Sequence, residues 1–139
     1  MKKNYLFILL LFVFNITLAQ NILIFGGKNH DVFLGCLDCD KYNDNSIWNK
    51  YGNNGSKYSS NSIWNKYGNY GGKYSSDSPF NKYASNPPVL VDRDGNFYGY
   101  FTADVYFSKR TNNKLALFII DYWESILEDV GEAYNKIFN

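Results

Sequence analysis

The sequence predicts a small α+β domain that is rich in β structure, with short stacked Tyr/Trp/Gly repeats, flanking hairpins and one C-terminal amphipathic helix. The chain has 139 residues, a length that fits one domain rather than a two-domain enzyme. A unit of sixteen residues occurs three times in its middle, and such repeats indicate structural units that stack on one another. Only after residue 112 do apolar residues take the three-and-four spacing of an amphipathic helix.

The first nineteen residues have the pattern of a secretory signal peptide. Two lysines precede a short apolar run over residues 5–14, and the small residue Ala19 ends the segment. The run is shorter than the roughly 20 apolar residues that a membrane-spanning helix needs. We therefore predict that residues 1–19 are removed, which leaves residues 20–139 as one secreted or periplasmic domain with no stable membrane span. An uncleaved membrane anchor is the alternative.

Short strands flank the repeats on both sides. Residues 22–40 predict two N-terminal strands, separated by a turn that includes Gly26 and Gly27. Residues 87–102 predict a hairpin, because apolar runs enclose a turn that contains Asp94–Gly95.

Residues 112–138 predict the C-terminal helix, with Thr111 or Asn112 as its N-cap. Gly131 weakens the helix near its end, so its last turn can be separate. The apolar stripe predicted to face the core is Leu115, Phe118, Ile119, Tyr122, Ile126, Leu127 and Val130.

Residues 41–84 contain the three sixteen-residue units, each with two Lys–Tyr pairs. Tryptophan occupies the same position in the first two units and phenylalanine in the third, at Trp48, Trp64 and Phe80. Glycine, asparagine and serine between the aromatic residues favour turns, and the Ile–Trp or Pro–Phe pairs are too short for a helix. The units therefore predict short strands or extended turns, stacked so that the aromatic side chains form ladders.

Cys36 and Cys39 form a C-x-x-C motif. A structural disulfide is the favoured interpretation, because the chain is predicted to be exported and the neighbouring Asp38 and Asp40 do not favour a reactive thiolate. A redox site and a zinc site that adds His30 stay open as alternatives. Asp92, Asp94 and Asn96 have the spacing of the first three calcium-loop ligands, but the glycine and glutamate of that motif are missing, so a hairpin turn is favoured.

The charge of the chain bears on its partners. The formal net charge of +1 gives no field that would attract a nucleic acid, and we predict no nucleic-acid partner. Residues 41–83 hold six lysines and two aspartates, a net of +4, whereas residues 121–139 hold five acidic residues and one lysine, a net of −4. Attraction between these two segments within the fold is favoured over binding of an anionic envelope polymer to the basic segment.

The repeat aromatics are the candidate ligand-binding residues. A sugar-binding surface joins a flat aromatic face to hydrogen-bonding groups at its edge, and the units place aromatic residues beside asparagine and serine. The candidates are Tyr42, Trp48, Tyr51, Tyr58, Trp64, Tyr67 and Tyr74. Core packing is favoured for the Ile–Trp pairs, while both roles stay open for the Lys–Tyr pairs, because lysine is rarely buried.

These observations predict an exported, non-catalytic module that binds an envelope or extracellular glycan through its repeat aromatics. The alternative is a structural or protein-interaction domain with a protein partner, in which the same aromatics form the core. An enzyme is least favoured, either thiol-based at Cys36 and Cys39 or hydrolytic at His30 and Asp31. We expect no catalytic residue, no metal and no cofactor.

Three segments together resemble an uncharacterised family of small bacterial secreted proteins: Gly35–Cys39, the Ser-Ile-Trp-Asn-Lys-Tyr-Gly repeats and residues 86–102. The resemblance covers about residues 22–112 and implies no activity, cofactor or catalytic residue. A looser likeness is to choline- or glucan-binding cell-wall repeats, which also alternate Trp, Tyr, Gly and Asn. The period differs from theirs, their paired aromatic signature is missing, and the repeated lysines would repel a choline cation.

Overall fold

The centre of the fold is a four-stranded antiparallel sheet made of two hairpins. The computed structural model describes residues 20–139, so the predicted signal peptide lies outside the described residues. The strands are β1 (Leu23–Gly26), β2 (Val32–Cys36), β3 (Val89–Val91) and β4 (Phe97–Tyr100), arranged in the order β2-β1-β3-β4. Both hairpins lie where the apolar runs and turn residues predict them, and with the helices below they confirm the α+β fold class.

Both edges of the sheet are covered by other parts of the chain. Next to β2, the first repeat unit continues the pairing, because Cys36 N–H donates to Asn45 O over 2.7 Å and Ile47 N–H donates to Cys36 O over 3.1 Å. Next to β4, Tyr100 makes the same kind of parallel bridge, donating to Lys109 O and accepting from Thr111 N–H. Unpaired sheet edges promote aggregation, and here both are occupied.

The repeats are a chain of tight turns. Along residues 40–84, backbone N–H groups repeatedly donate to the carbonyl three residues earlier, and this segment contributes no strand to the sheet. Twice the step lengthens to four residues, from Ser56 N–H to Gly52 O and from Gly72 N–H to Gly68 O. Five three-residue steps and one extra residue make the period of sixteen seen in the sequence. Of the two predicted forms, short strands and extended turns, the structure has turns.

The predicted C-terminal helix is present as two helices, α1 (Lys114–Glu128) and α2 (Val130–Phe138). The break lies at Asp129, whose side chain accepts from Glu132 N–H over 3.1 Å and so caps α2. The N-cap of α1 is Asn113 rather than Thr111 or Asn112, since its side chain accepts from Ala116 N–H over 3.0 Å. Within the described part of the chain, no helix has both the length and the apolar character needed to cross a membrane.

The face of α1 that packs inward differs from the predicted stripe. Phe118 and Tyr122 were expected in the core but are 40% and 53% exposed, and their rings contact each other on the surface, with centroids 4.7 Å apart. The residues that α1 buries are Ala116, Ile119, Ile120 and Ile126, with Trp123 packed beside them. The buried face is therefore rotated about the helix axis relative to the predicted stripe, and α1 is kinked at Tyr122, whose φ of −124° and ψ of 15° are not helical.

An aromatic ladder joins the repeats to the helices. Trp48 and Trp64 have ring centroids 5.7 Å apart, and Trp64 and Phe80 follow at 6.1 Å, so one ring comes from each unit. At one end Phe80 stacks on Trp123 of α1, with centroids 4.7 Å apart, and at the other end Trp48 contacts the two aromatic rings of α2. The ladder is therefore covered by helix at both ends.

Candidate functional site

One turn motif places both kinds of aromatic residue in the repeats. In most of these turns a serine, asparagine or aspartate side chain at the first position accepts the N–H of the residue two positions later. In the second unit, Ser62 Oγ accepts from Trp64 N–H and Asn65 Oδ1 accepts from Tyr67 N–H, both over 3.1 Å. The aromatic residues of the Ile–Trp, Pro–Phe and Lys–Tyr pairs thus stand at the third positions of turns, and the turn of Tyr74 differs in having no such side chain, because its first residue is Gly72.

Trp48 and Trp64 are directed into the core. Each is about 1% exposed, and each indole Nε1–H donates to a main-chain carbonyl, that of Leu37 over 2.7 Å and that of Ile47 over 2.6 Å. A buried indole needs such an acceptor, because an unpaired N–H in the core is costly. Both rings are buried, although Trp64 also borders the groove described below, and this burial agrees with the core position that the sequence favours for the Ile–Trp pairs.

The Lys–Tyr pairs are directed into solvent. Their rings are 79–89% exposed, and the lysine Nζ atoms lie 5.2–6.0 Å from the ring centroids of their neighbouring tyrosines. The pairs contain the predicted candidates Tyr42, Tyr51, Tyr58, Tyr67 and Tyr74 together with Tyr83. Tyr83 is not among the predicted candidates, although its Lys–Tyr pair follows that of Tyr67 by one full period of sixteen residues.

Asparagine side chains fix the two Lys–Tyr pairs of a unit relative to each other. Asn65 Nδ2–H donates to Ser59 O over 3.0 Å, while Asn65 Oδ1 holds the turn that carries Tyr67. Ser59 directly follows Tyr58, so this one side chain connects the turns of both tyrosines. Asn49 and Asn81 make the equivalent bonds, to the carbonyls of Asn43 and Ser75. The exposed rings therefore stand on a braced backbone.

A groove of about 900 Å³ runs between the Lys–Tyr pairs and α1, and we call it the Tyr–helix groove. This volume lies within the range of small-molecule and cofactor sites. Its repeat wall is made by Lys57, Tyr58, Trp64, Asn65, Lys66, Tyr67, Lys73 and Tyr74, and its helix wall by Trp123, Glu124, Leu127 and Glu128. Trp123 was not predicted here, yet its place four residues after Ile119 and three before Ile126 puts it on the inward face of α1.

The cysteines lie apart from this groove. Their sulfur atoms are at disulfide distance, their Cα atoms are 5.5 Å apart, and both residues are buried. Cys36 ends β2 instead of beginning a helix, as a redox C-x-x-C would. Among residues 20–139, Cys36, Asp38 and Cys39 are close enough together to hold an ion, but two sulfurs joined to each other do not supply the thiolates that zinc prefers.

His30 and Asp92 have structural partners. His30 Nε2 lies 3.1 Å from Pro87 O, so the ring is held by the main chain. The Asp92 carboxylate accepts from the side chains of Asn96 and Tyr98 and from the backbone N–H groups of Asp94 and Asn96. These bonds, that from the Asn96 side chain first, hold the pKa of Asp92 below its ordinary value. The carboxylate organises the hairpin turn, as the sequence analysis favoured.

Comparisons of the chain with protein-family models, with curated proteins and with solved structures find no match.

Proposed function

We propose that this protein is an exported, non-catalytic module that binds an extracellular or envelope glycan through the tyrosines of its Lys–Tyr pairs. One observation carries the proposal: six tyrosine rings, at a regular spacing along the chain, are 79–89% exposed while the tryptophans of the same units are buried. Exposed aromatic rings lose apolar hydration when a sugar face covers them. The asparagine bracing supports the same role, since it keeps the rings positioned before a ligand arrives.

The Tyr–helix groove gives this surface a defined centre. Tyr58, Tyr67 and Tyr74 meet in it, and the partly buried Trp123 and Leu127 add apolar surface beside them. A polysaccharide has flat apolar ring faces and a rim of hydroxyl groups. The tyrosines and Trp123 suit the ring faces, and Asn65 with the charged side chains of both walls suits the hydroxyl groups.

A protein-interaction domain is the second candidate. The observation that favours it is the aromatic ladder, because Trp48, Trp64 and Phe80 form the core, as that interpretation requires. The two candidates differ in the ligand rather than in the fold. In both, the exposed tyrosines are the surface that a partner would contact.

The test measures glycan binding by residues 20–139, which include every described element, with calorimetry and intrinsic tryptophan fluorescence, to which Trp123 contributes, as signals. The variant replaces Tyr58, Tyr67 and Tyr74 by alanine. We expect the wild type to bind one class of polysaccharide, and the variant to bind at least about tenfold more weakly, since 1.4 kcal/mol is a factor of ten. Its unfolding should be unchanged, because the rings are 83–89% exposed.

Tyr106→Ala is the matched control. Tyr106 is 93% exposed and is held by a similar turn, through Asp104, but it lies outside the Lys–Tyr pairs and the groove. We expect this variant to bind as the wild type does. Equal binding by the triple variant and the wild type would refute the proposed site. If no polysaccharide binds the wild type, the glycan proposal fails and a protein partner becomes the better candidate.

A further inference from the structure

The two walls of the Tyr–helix groove carry charges of opposite sign. Three lysines line the repeat wall and two glutamates line the helix wall, and these residues are Lys57, Lys66, Lys73, Glu124 and Glu128. Glu124 and Glu128 are four residues apart on α1, so they share a helix face, and both are exposed. Lysines of the repeats therefore face glutamates of α1 across the groove that the tyrosines and Trp123 line.

A smaller neighbouring groove has the same arrangement. Its volume is about 520 Å³, and it lies between the Lys–Tyr pair of Tyr51 and the junction of α1 with α2. Two lysines and two acidic residues line it, namely Lys50, Lys57, Glu128 and Asp129. The two grooves together are lined by four lysines and three acidic residues.

The lysines are also arranged about the tyrosine rings. The Nζ atoms of Lys57, Lys66 and Lys73 lie over the rings of Tyr58, Tyr67 and Tyr74, 5.6, 5.2 and 6.0 Å from their centroids. A cation over a ring is attracted by the negative face of its π system. Such a lysine interacts with its own tyrosine and leaves the other side of the ring for a ligand.

We infer that the groove selects an uncharged polysaccharide and disfavours an acidic one, an inference that rests on the proposed function. Glu124 and Glu128 would repel the carboxylate or sulfate groups of an acidic chain, and their charge offsets that of two of the three lysines facing them. The lysines would in turn repel a cationic chain. An uncharged chain meets neither penalty, and its hydroxyl groups can bond to both kinds of side chain while its ring faces cover the tyrosines.

The experiment compares several neutral polysaccharides, each with its own carboxymethylated derivative, so that the sugar backbone is the same and only the charge differs. For the glycan that binds the wild type, we expect the neutral form to bind at least about tenfold more tightly than the carboxymethylated form. We also expect its affinity to change by less than about twofold between roughly 50 and 500 mM NaCl, because binding to an uncharged ligand is not screened.

A charge variant tests the cause of this preference. The double variant Glu124→Gln with Glu128→Gln leaves three lysines unopposed in the groove. The carboxymethylated glycan should therefore bind this variant at least about tenfold more tightly than it binds the wild type, and its affinity should fall steeply as the salt concentration rises. Asp121→Asn with Glu132→Gln is the matched control. It removes the same net charge from exposed helix positions outside the groove, and we expect it to leave the preference unchanged.

The outcomes separate this inference from the proposed function. Tighter binding of the acidic derivative by the wild type would overturn the inference and leave a glycan-binding module standing. An unchanged preference in the glutamine variant, or the same change in its control, would also overturn it, because the two glutamates would then not set the selectivity. Binding of neither form would overturn both proposals.

Discussion

Two consecutive turns of one repeat unit are closed by the same hydrogen bond, yet one places its aromatic ring in the core and the other places its ring in solvent. Ser62-Ile63-Trp64 and Asn65-Lys66-Tyr67 are consecutive, and in both the first side chain accepts the N–H of the third residue over 3.1 Å. Yet Trp64 is 1% exposed and Tyr67 is 89% exposed. The turn alone therefore does not decide whether an aromatic residue joins the core or the surface.

The difference comes from the middle residue and from what each ring can reach. Ile63 is apolar and buried with its tryptophan, whereas Lys66 carries a charge that must stay in water. The Trp64 indole also finds a buried acceptor in Ile47 O. One turn of the unit thus places an aromatic ring in the core, and the next places one on the surface. A short repeat with few aliphatic residues can in this way contribute both to the core and to an exposed aromatic surface.

The largest effect that tests this comparison is expected at Trp64. Trp64→Ala removes a ring between Trp48 and Phe80 and leaves Ile47 O without its donor, so we expect a loss of about 3–5 kcal/mol in the free energy of unfolding. Tyr67→Ala is the matched change in the next turn, and it should alter that free energy by less than about 0.5 kcal/mol. Urea denaturation followed by circular dichroism measures both. Similar losses in the two variants would contradict the separation of core and surface turns.

The second effect concerns the extra residue that ends each unit. A Cβ at Gly71 would lie 2.3 Å from Asn65 O and 2.5 Å from Ile63 O, inside main chain that cannot move aside cheaply. We expect Gly71→Ala to lower the free energy of unfolding by about 3 kcal/mol, the upper end of common overpacking costs. The four-residue step there lets the next unit stack in register, so the variant should also disturb the aromatic ladder. Near-ultraviolet circular dichroism reports on those rings.

Gly95→Ala is the control that distinguishes the cost of a steric clash, as at Gly71, from the cost of a left-handed backbone alone. Gly95 has a φ of 81°, but a Cβ there would meet no atom within 4 Å. The cost is then only that of holding alanine in the left-handed region, about 1 kcal/mol. If Gly71→Ala destabilises the protein no more than Gly95→Ala does, close packing at the unit boundary is not what requires glycine.

Local signals in the sequence were enough for the sheet and for the positions of the turns. The Asp94–Gly95 turn marks the second hairpin, and glycine, asparagine and serine indicated turns in the repeats, although the three-residue step itself was seen only in the structure. The break between the helices also had a signal that we did not use, since Asp129 and Glu132 have the spacing of a capping box. Our prediction over 112–138 rested on the apolar period and the N-cap, and it expected Gly131 to separate the last turn only.

The direction of each ring and the groove could not be predicted in this way. Trp48 is buried because it meets Leu37 O and the rings of α2, groups that lie near it only in the folded chain. The Tyr–helix groove likewise joins residues 57–74 to residues 123–128. The opposite net charges of those two segments hinted that they meet. Nothing local indicated that Trp123 and the tyrosines would share one surface.

The smallest expected effect is a change of stability with pH. It distinguishes the repeat turns, which neutral side chains hold, from the turn of the second hairpin, which the carboxylate of Asp92 holds. Asparagine or serine holds most repeat turns, so their bonds do not depend on pH, whereas Asp92 holds its turn as a carboxylate with a lowered pKa. A carboxyl whose pKa is lower in the folded state stabilises the protein above its unfolded value, near 4, and this contribution is lost as pH falls through the folded value. The difference in stability between the wild type and Asp92→Asn should therefore be constant above about pH 5 and shrink as the pH falls below about 4. Thermal melts across that range measure it. Parallel curves would mean that the charge of Asp92 adds nothing to its turn beyond what a neutral side chain provides in the repeats.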